Sequence, residues 1–354
     1  MARIEELLLN ARYAFRPRKP LLLGRLAAAV LKSYVLRRPP LRYVDFALDF
    51  ACNLRCEHCF ATALVQPGRR RMEVDDYARV ARESMALGAV NFSFQGGEPL
   101  LFQDLGRTIR ACRPGLNVIS VTTNGTLLDE DKVSELKGLG VDILTVSLDS
   151  SIAEEHDGFR GLPGCFDKTM AGIRLALSGG LRVTLGTVVT HQSLRSAGIT
   201  GLVRLAAELK LILCLIFPVP AGRWTQNREM LLTLDDLEYI DQLTRSTPYV
   251  RTDFQANFGP HGCGAVKEIL YLTPYGDVLA CPFIHISLGN IFEESVAEIR
   301  ARALRNRFFA AYHPRCLAST DTEFVDKYLS KTFEAQQRPI RWQDAFPEAN
   351  DDLP

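Results

Sequence analysis

The stretch Cys52-Asn-Leu-Arg-Cys56-Glu-His-Cys59 places three cysteines within eight residues, separated by gaps of three and then two residues. It closely follows Tyr43–Phe50, a largely apolar run that is typical of a buried β-strand. In sheets built from β–α units, ligands bind on the loops after the carboxyl ends of the strands. A loop at that place can hold three thiolates around one [4Fe–4S] cubane and leave the fourth iron open to another ligand.

Zinc coordination is an alternative interpretation of this cysteine loop, as are three plain buried thiols. Structural zinc sites use four ligands, and no fourth ligand is placed with the three cysteines, although His58 lies among them. The pattern therefore favours an iron–sulfur cluster with one open iron. A protein that binds iron–sulfur or zinc without catalysing a reaction remains the alternative from a different class.

Strand and helix signals alternate from residue 43 to about residue 217. Short apolar or β-branched runs predict strands that are covered on both faces, at Tyr43–Phe50, Val90–Gln95, Asn117–Thr122, Ile143–Leu148, Leu181–Val189 and Leu211–Phe217. Apolar residues spaced three or four apart predict helices between them, at Glu73–Leu87, Phe102–Cys112, Asp129–Leu139, Phe166–Leu177 and Ile199–Leu209. Such units with right-handed crossovers predict an α/β protein whose parallel sheet curls toward a barrel.

The strand–helix alternation stops near residues 218–222. A helix is predicted at Leu234–Leu243, followed by two strands, Ile269–Leu272 and Val278–Cys281, on either side of a turn. We therefore predict four regions: an N-terminal extension 1–42, a core 43–225, a linker helix with a hairpin-based domain distinct from the barrel over 226–337, and an extended or loosely packed tail 338–354.

The composition excludes some classes of protein. The 354 residues carry a net charge of only +1, whereas nucleic-acid-binding proteins usually carry a clear basic excess. Nine cysteines are too few for a disulfide scaffold in a chain of this length, and clustered cysteines without a secretory signal favour metal binding in the cytosol. We therefore expect a cytoplasmic metal-binding protein that does not bind nucleic acid.

Residues 1–42 form a basic extension, with ten lysines and arginines against two glutamates. None of its apolar runs approaches the roughly 20 residues of a membrane-spanning helix, and no signal-peptide cleavage site is recognisable. We predict amphipathic helices there, which either pack on the main domain or rest on an anionic membrane surface. The second alternative predicts a protein that is membrane-associated at the surface.

The cysteine loop resembles the CxxxCxΦC signature of the radical S-adenosylmethionine (SAM) superfamily. His58 stands in the usually aromatic position, which in the family lies next to the adenine of SAM. The resemblance extends over about residues 43–225. It implies a partial (β/α)6 TIM-like barrel and a [4Fe–4S] cluster on Cys52, Cys56 and Cys59 whose open iron binds SAM. Reductive cleavage of SAM would then give a 5′-deoxyadenosyl radical that abstracts hydrogen from a substrate C–H bond.

Three further motifs lie at the ends of predicted strands. Gly96-Gly97-Glu98-Pro99 resembles the GGEP motif of the family, whose backbone meets the methionyl amino group of SAM. Asn124 ends the third strand, and Ser147 and Asp149 end the fourth, where the family presents polar side chains to the methionine and ribose. Asn-Gly is also a common tight turn, so both interpretations of Asn124 stay open.

A second group of cysteines, Cys263, Cys281 and Cys316, lies beyond the predicted barrel. The Gly-x4-Cys ending at Cys281 resembles the SPASM and Twitch extensions of the family, which hold auxiliary iron–sulfur clusters. Only one cysteine follows, so the chain resembles the shorter Twitch type with one auxiliary [4Fe–4S] cluster. Ser319 stands where a Cys-x-x-Cys pair is often seen, which leaves the fourth ligand open among Ser319, Asp321, another residue and substrate. Unrelated thiols around a degenerate hairpin are the alternative.

The family resemblance leaves the reaction and substrate open. The leading prediction is oxidation or epimerisation of a small molecule such as a sugar or cyclitol, because the 17 residues between Cys263 and Cys281 are similar to the spacing in aminoglycoside-pathway dehydrogenases and epimerases. Cys165, on a glycine-rich loop after the fourth strand, is the candidate hydrogen donor in an epimerisation. Peptide cross-linking or thioether formation is the alternative, and a lipid-linked substrate is the third. An electron donor such as flavodoxin or ferredoxin is the expected protein partner.

Overall fold

The computed structural model describes residues 9, 19–35, 40–252 and 262–347. The predicted strands are all present, as β1 (Tyr43–Asp49), β2 (Asn91–Gly96), β3 (Val118–Thr123), β4 (Ile143–Ser147), β5 (Val183–Val188) and β6 (Ile212–Ile216). They lie side by side in chain order, and each neighbouring pair is parallel. The predicted parallel sheet of β–α units is therefore confirmed.

The helices described up to residue 246 are α1 (Pro20–Val35), α2 (Val74–Ala86), α3 (Leu105–Ala111), α4 (Glu130–Gly138), α5 (Ala153–Arg160), α6 (Cys165–Ser178), α7 (Ala197–Leu209) and α8 (Leu234–Ser246). All except α5, and α1, whose bounds were not predicted, lie close to their predicted positions. Side-chain caps fix several starts: Asp129 accepts from the Lys132 N–H, and Ser196 accepts from the Ile199 N–H. Helix α5 was not predicted, because it is rich in polar residues and buries His156 and Arg160 instead of an apolar stripe.

Alternate residues of the strands face opposite sides of the sheet. On β1, Val44, Phe46 and Leu48 are at most 1% exposed and join the core between sheet and helices. The ring of Phe46 meets that of Tyr77 on α2 edge-on at 5.1 Å. The side turned away from the helices is called the lumen below.

Most side chains on the lumen side of β1 to β5 are polar, and the apolar positions among them include Ala47, Val118 and Ile143. The hydroxyl, amide and carboxyl side chains there are Tyr43 and Asp45 on β1, Asn91, Ser93 and Gln95 on β2, Ser120 and Thr122 on β3, Thr145 and Ser147 on β4, and Thr184 on β5. The lumen-facing positions of β1 to β6 include no lysine or arginine. Most of these side chains are half-buried, so the lumen is a polar space and not a packed apolar core.

The C-terminal strands extend the same sheet, as β7 (Val250–Thr252), β8 (Ile269–Leu272), β9 (Asp277–Leu279), β10 (Ile286–Asn290) and β11 (Ile340–Arg341). Strands β8 and β9 form the predicted antiparallel hairpin, but β8 also pairs in parallel with β1. The predicted hairpin is therefore present, and it continues the sheet of the barrel instead of standing apart from it. The pairing depends on backbone contacts between distant segments, such as the bond from the Arg42 N–H to the Glu268 carbonyl at 2.9 Å.

The described part of the predicted tail is packed. Strand β11 pairs with β10, and Ala345 and Phe346 are at most 2% exposed. The Phe346 ring lies 4.9 Å from that of Tyr328. The prediction of an extended or loose tail is wrong up to residue 347, since its aromatic residues complete an apolar cluster; residues 348–354 lie outside the described residues.

Helix α1 packs on the main domain. The Lys19 ammonium binds the Asp142 carboxylate and the Asn117 carbonyl, and Leu22 is 1% exposed. The opposite face of α1 leaves Leu21 and Leu31 exposed. In the described residues, no helix has the length and apolar character to span a membrane. Much of the predicted basic extension lies outside those residues.

Candidate active site

The cysteine loop after β1 is held by backbone hydrogen bonds from several parts of the barrel. The Glu98 N–H donates to the Ala51 carbonyl at 2.9 Å, and the Glu57 N–H donates to the Phe159 carbonyl at 2.9 Å. The Arg223 N–H, from the segment after β6, donates to the Cys59 carbonyl at 3.1 Å. The loop is therefore fixed across the carboxyl ends of the strands, as its position in the sequence predicted.

The thiols of Cys52, Cys56 and Cys59 are close enough to influence one another. Burial raises the pKa of Cys52 to about 11, and the two other thiols act in the same direction. Burial also raises the pKa of Cys56, while Arg160, whose Nη1 lies 3.7 Å from the Cys56 sulfur, opposes the rise. Neighbouring thiols that resist ionisation need a bound cationic centre to become thiolates together. This donor set fits an iron–sulfur cluster.

Gly96 and Gly97 allow the second strand to touch the cysteine loop. A Cβ on Gly96 would lie 2.2 Å from the Asp49 carbonyl oxygen, and one on Gly97 would lie 2.1 Å from the Ala51 carbonyl oxygen. Both glycines are thus required by this crossing of two backbones. The motif brings its backbone and the cysteine loop into contact at one end of the barrel.

The Glu98 carboxylate accepts its hydrogen bonds from groups of the protein itself. It is 2% exposed, and it accepts hydrogen bonds from the Thr123 hydroxyl at 2.7 Å and the Asn124 N–H at 2.8 Å. The Leu100 N–H is a third donor, at 3.1 Å. The carboxylate therefore fastens the loop after β2 to the loop after β3 and, within the described residues, is not paired with a cation. Pro99 follows it and is buried at the start of a single 3₁₀ turn.

Asn124 connects the third strand to the cysteine loop. Its Nδ2 donates to the Asn53 Oδ1 at 2.9 Å, while its Oδ1 accepts from the Thr126 N–H at 2.9 Å. The Asn53 amide in turn donates to the Thr126 hydroxyl at 2.9 Å. Asn124 is therefore both the turn residue and a support of the loop.

Asp149 is buried and paired with a residue that the sequence did not single out. The Arg160 Nε donates to the Asp149 Oδ2 at 2.6 Å, and Asp149 is 8% exposed. Burial acts to raise the pKa of Asp149, but Arg160 outweighs it and holds that pKa below the ordinary value. Ser147 lies two residues earlier, half-buried on the lumen side. The sequence offers one signal for Arg160, which is the last residue of a short polar helix that closely follows the aspartate after β4.

His58 lies in an aromatic group formed by Phe159 and Trp224. Its ring stacks on Phe159 at 4.5 Å and lies 5.7 Å from Trp224. Its Nδ1 is buried and has no hydrogen-bond partner, and burial lowers the pKa of His58 to about 4. A neutral flat ring with an unused nitrogen suits contact with a nucleobase. Neither aromatic neighbour was predicted, since both lie on segments distant in sequence.

Cys165 does not open onto the lumen. It is fully buried behind the cysteine loop, in a small cluster with Leu54 and Cys56. Its sulfur lies 3.6 Å from the His156 Nε2 and 3.9 Å from the Thr169 hydroxyl. This placement contradicts the expectation of a hydrogen donor at the mouth of the site, because the thiol is enclosed by the start of α6.

The second cysteine group lies around the C-terminal hairpin. The Cys263 N–H donates to the His313 carbonyl at 2.7 Å, which brings it beside the segment of Cys316. Cys281 follows β9, and all three cysteines are half-buried at the edge of the core. The Ser319 hydroxyl is buried and has no hydrogen-bond partner. An orphaned buried hydroxyl three residues after Cys316 fits a further ligand to a cluster.

No group of His, Cys, Asp or Glu in the described residues converges closely enough to hold a single metal ion. Cysteines that ligate different irons of a cubane lie farther apart than the ligands of one ion.

A barrel of parallel strands with an open three-cysteine loop defines an iron–sulfur enzyme class, and the comparisons agree. The family model of the radical SAM superfamily matches residues 50–196, and that of the SPASM iron–sulfur cluster-binding domain matches residues 263–318. The chain therefore belongs to the radical SAM superfamily, with the partial barrel of that family, and carries a SPASM domain. Such enzymes use a [4Fe–4S] cluster with SAM, together with auxiliary iron–sulfur clusters.

Similar proteins act on different substrates. The AdoMet-dependent heme synthase of Methanosarcina barkeri is 27% identical over 288 residues, 73% of this chain and 81% of the relative. The PqqA peptide cyclase of Gluconobacter oxydans is 28% identical over 283 residues, 75% of this chain and 77% of the relative. Streptococcus suis SuiB bound to precursor peptide SuiA has the same fold, with a TM-score of 0.59 and 19% identity over 78% of this chain and 69% of that one.

Proposed function

We propose that this chain is a radical SAM enzyme that modifies a peptide at an unactivated C–H bond, forming a cross-link or a thioether. The observation that carries this proposal is the lumen, which presents hydroxyl and amide side chains and, on β1 to β6, no lysine or arginine. Such groups pair with peptide amides, whereas a substrate rich in carboxylates calls for cations. When bound, a [4Fe–4S] cluster and SAM would supply a 5′-deoxyadenosyl radical to take one hydrogen atom from the peptide. As the new bond forms, the peptide would lose a proton, and its second electron would pass to the auxiliary cluster.

The proposed cluster ligands are the two cysteine groups. Cys52, Cys56 and Cys59 would hold the [4Fe–4S] cluster that binds SAM. Cys263, Cys281 and Cys316 would hold an auxiliary cluster, and the orphaned hydroxyl of Ser319 favours that residue as its fourth ligand. A flavodoxin or ferredoxin is the proposed electron donor.

The proposed SAM contacts surround the cysteine loop. The backbone of Gly96 and Gly97 would meet the methionyl group, and the His58 ring would meet the adenine. Ser147 and Asp149, at the end of β4, would face the methionine and ribose. Glu98, Pro99 and Asn124 would act by holding these loops together, since their polar atoms bond mainly within the protein.

The relatives favour peptide modification over the small-molecule oxidation that the cysteine spacing suggested. The PqqA peptide cyclase matches three quarters of the chain. We therefore replace a sugar or cyclitol by a peptide as the leading substrate class. The fully buried Cys165 also removes the hydrogen donor on which the epimerisation prediction depended.

A tetrapyrrole is the second candidate substrate. The heme synthase similarity covers 73% of the chain. Arg55, in the cysteine loop, and Arg223 are both exposed, and the Arg223 Nη1 donates to the Arg55 backbone carbonyl at 3.4 Å. Exposed arginines at the mouth of the site suit the carboxylates of such a pigment.

The test uses the reconstituted enzyme, SAM and dithionite under anaerobic conditions. Extracts of the source organism are divided into pigment and peptide fractions, and the formation of 5′-deoxyadenosine is measured with each. We expect the peptide fraction to stimulate its formation and to lose this effect after protease treatment. Stimulation that survives the protease, or that occurs only with the pigment fraction, would overturn the peptide proposal. A pigment effect would support the tetrapyrrole.

A further inference from the structure

Helix α1 and the residue before it direct their described positive charges toward the protein. The Lys19 ammonium binds the buried Asp142 carboxylate. The Arg25 guanidinium donates to the backbone carbonyl of Leu116 at 2.8 Å and to that of Ala89 at 2.5 Å. Both cations are therefore held by polar groups of the barrel.

The outer face of α1 is apolar. Its exposed residues are Pro20, Leu21, Leu23, Gly24, Ala27, Ala28 and Leu31. With 3.6 residues per turn they fall within one arc of about 160°, and the buried Leu22 and Ala29 lie opposite that arc. A surface helix in water normally has the reverse arrangement, with an apolar stripe toward the core and charges outward.

The exposed leucines of α1 form a patch, called the leucine face below. Leu21, Leu23 and Leu31 are 66%, 53% and 61% exposed. They are three of the six large apolar side chains that are exposed in the described ranges of the chain. Single exposed apolar residues are ordinary, whereas several on one face mark a surface that binds a partner.

The surroundings of the leucine face are basic. No aspartate or glutamate occurs in the sequence between Glu6 and Asp45. The exposed Arg110 and Arg113 come shortly before Asn117, whose side chain accepts from Arg25 of α1. Six further lysines and arginines, whose side chains lie outside the described residues, flank the exposed stretch in the sequence: Arg12, Arg16, Arg18, Lys32, Arg37 and Arg38. An apolar face among positive charges complements an anionic lipid surface.

The size and composition of the leucine face disfavour a protein as its partner. Twelve helical residues give a face about 18 Å long and about 10 Å wide, or roughly 200 Å², against about 800 Å² on each partner of a stable protein interface. Two copies of the chain would also bring their positive charges together. The exposed positions of α1 that the structure describes include no tryptophan, tyrosine or arginine, which are the usual anchors of protein interfaces.

We propose that α1 docks this enzyme on an anionic lipid bilayer, with the leucine face entering the boundary between headgroups and acyl chains. The groups bound by Lys19 and Arg25 come just before β2, β3 and β4, so α1 lies at the amino ends of the strands. The cysteine loop lies at their carboxyl ends, about 20 Å away along strands of six residues. The docked enzyme therefore opens its site away from the lipid, and the inference does not depend on the proposed peptide modification.

The test measures binding of the reconstituted full chain to sucrose-loaded vesicles by sedimentation. The vesicles contain phosphatidylcholine alone or an equal mixture of phosphatidylcholine and phosphatidylglycerol. We expect the mixed vesicles to bind the wild type at least about tenfold more strongly, and high salt to remove this preference. The double variant Leu21→Gln/Leu31→Gln should bind the mixed vesicles at least about tenfold more weakly, because two leucine side chains no longer leave water.

The control is Leu234→Gln, which removes a leucine that is 74% exposed at the start of α8. It should bind the mixed vesicles like the wild type. Thermal unfolding and the slow cleavage of SAM without vesicles should be equal in all these proteins, because the substituted side chains are exposed and distant from the cysteine loop. Absence of wild-type binding to mixed vesicles, equal binding to neutral ones, or equal binding of the double variant would each overturn the proposal.

Two further measurements identify what contacts the leucine face. The fluorescence of Leu23→Trp should shift to shorter wavelength with mixed vesicles and be quenched by lipids brominated in their acyl chains, whereas that of Leu234→Trp should not; an unchanged Leu23→Trp spectrum would overturn the proposal. Light scattering without vesicles should give the same mass for the wild type and the double variant. A larger mass that Leu21→Gln/Leu31→Gln reduces would assign the face to a second copy of the chain and overturn the lipid.

Discussion

Replacing Arg160 by methionine should damage the candidate active site through Asp149. The two side chains are 7% and 8% exposed, and the Arg160 Nε lies 2.6 Å from the Asp149 Oδ2. Removing one partner of a buried ion pair leaves an uncompensated charge and typically costs about 3–5 kcal/mol. We expect Arg160→Met to lower the stability of the barrel by about this amount.

The same change should lower the reduction potential of the cluster. At 3.7 Å from the Cys56 sulfur, the guanidinium attracts a thiolate by about 4–5 kcal/mol at an effective dielectric constant of 20. A nearby positive charge favours the reduced cluster. If a quarter of this interaction reaches the cluster, its midpoint potential falls by about 40–50 mV in Arg160→Met.

The assay is a redox titration followed by EPR, in a background without Cys263, Cys281 and Cys316 so that one cluster remains. Thermal unfolding is recorded in parallel. Arg174→Met, at an exposed position on α6, is the matched control. Adding Asp149→Asn to Arg160→Met should recover part of the stability and part of the potential, because it removes the negative charge near Cys56 that Arg160 compensates in the wild type. Wild-type stability and a potential within about 10 mV of the control in Arg160→Met would refute this reasoning.

Three further predictions concern the clusters, the glycine motif and Asp45. Reconstituted wild type should bind about eight irons per chain and the variant without Cys263, Cys281 and Cys316 about four, by iron and sulfide analysis; zinc alone would contradict both sites. Gly97→Ala should weaken SAM binding at least about tenfold by equilibrium dialysis, because its Cβ would lie 2.1 Å from a carbonyl oxygen, whereas Gly115→Ala, with open space around it, should not. Burial raises the pKa of Asp45 from 3.8 to about 7. Between these pH values the folded chain holds a proton on Asp45 that the unfolded chain has lost. The contribution of Asp45 to the free energy of unfolding therefore decreases as the pH rises from about 4 to 7. Asp45→Asn should therefore gain up to about 4 kcal/mol over wild type at pH 8 and little at pH 4, in denaturant unfolding at both pH values; an equal difference at both would contradict it.

Features that depend on neighbouring residues could be predicted from the sequence. The spacing of Cys52, Cys56 and Cys59 limits which ligands one loop can present, and Gly96-Gly97 marks a close approach of two backbones. Buried parallel strands leave continuous apolar runs, so β1 to β6 were located to within a few residues. These signals were sufficient to predict the barrel and to predict that the protein belongs to an iron–sulfur enzyme class.

Features that join distant segments were decided by the tertiary structure. Arg160 gained its role because α5 folds back beneath the cysteine loop. The hairpin is part of the barrel sheet because β8 pairs with the edge of β1 that β2 does not occupy. This pairing places Tyr271 beside Asp45, although more than two hundred residues separate them in the chain. No local pattern encodes such a pairing, since its free energy comes from contacts that exist only in the folded chain. The sequence by itself determined the family of this protein, and the packing of β8 on β1 decided which side chains lie beside Asp45 on the lumen side of the sheet.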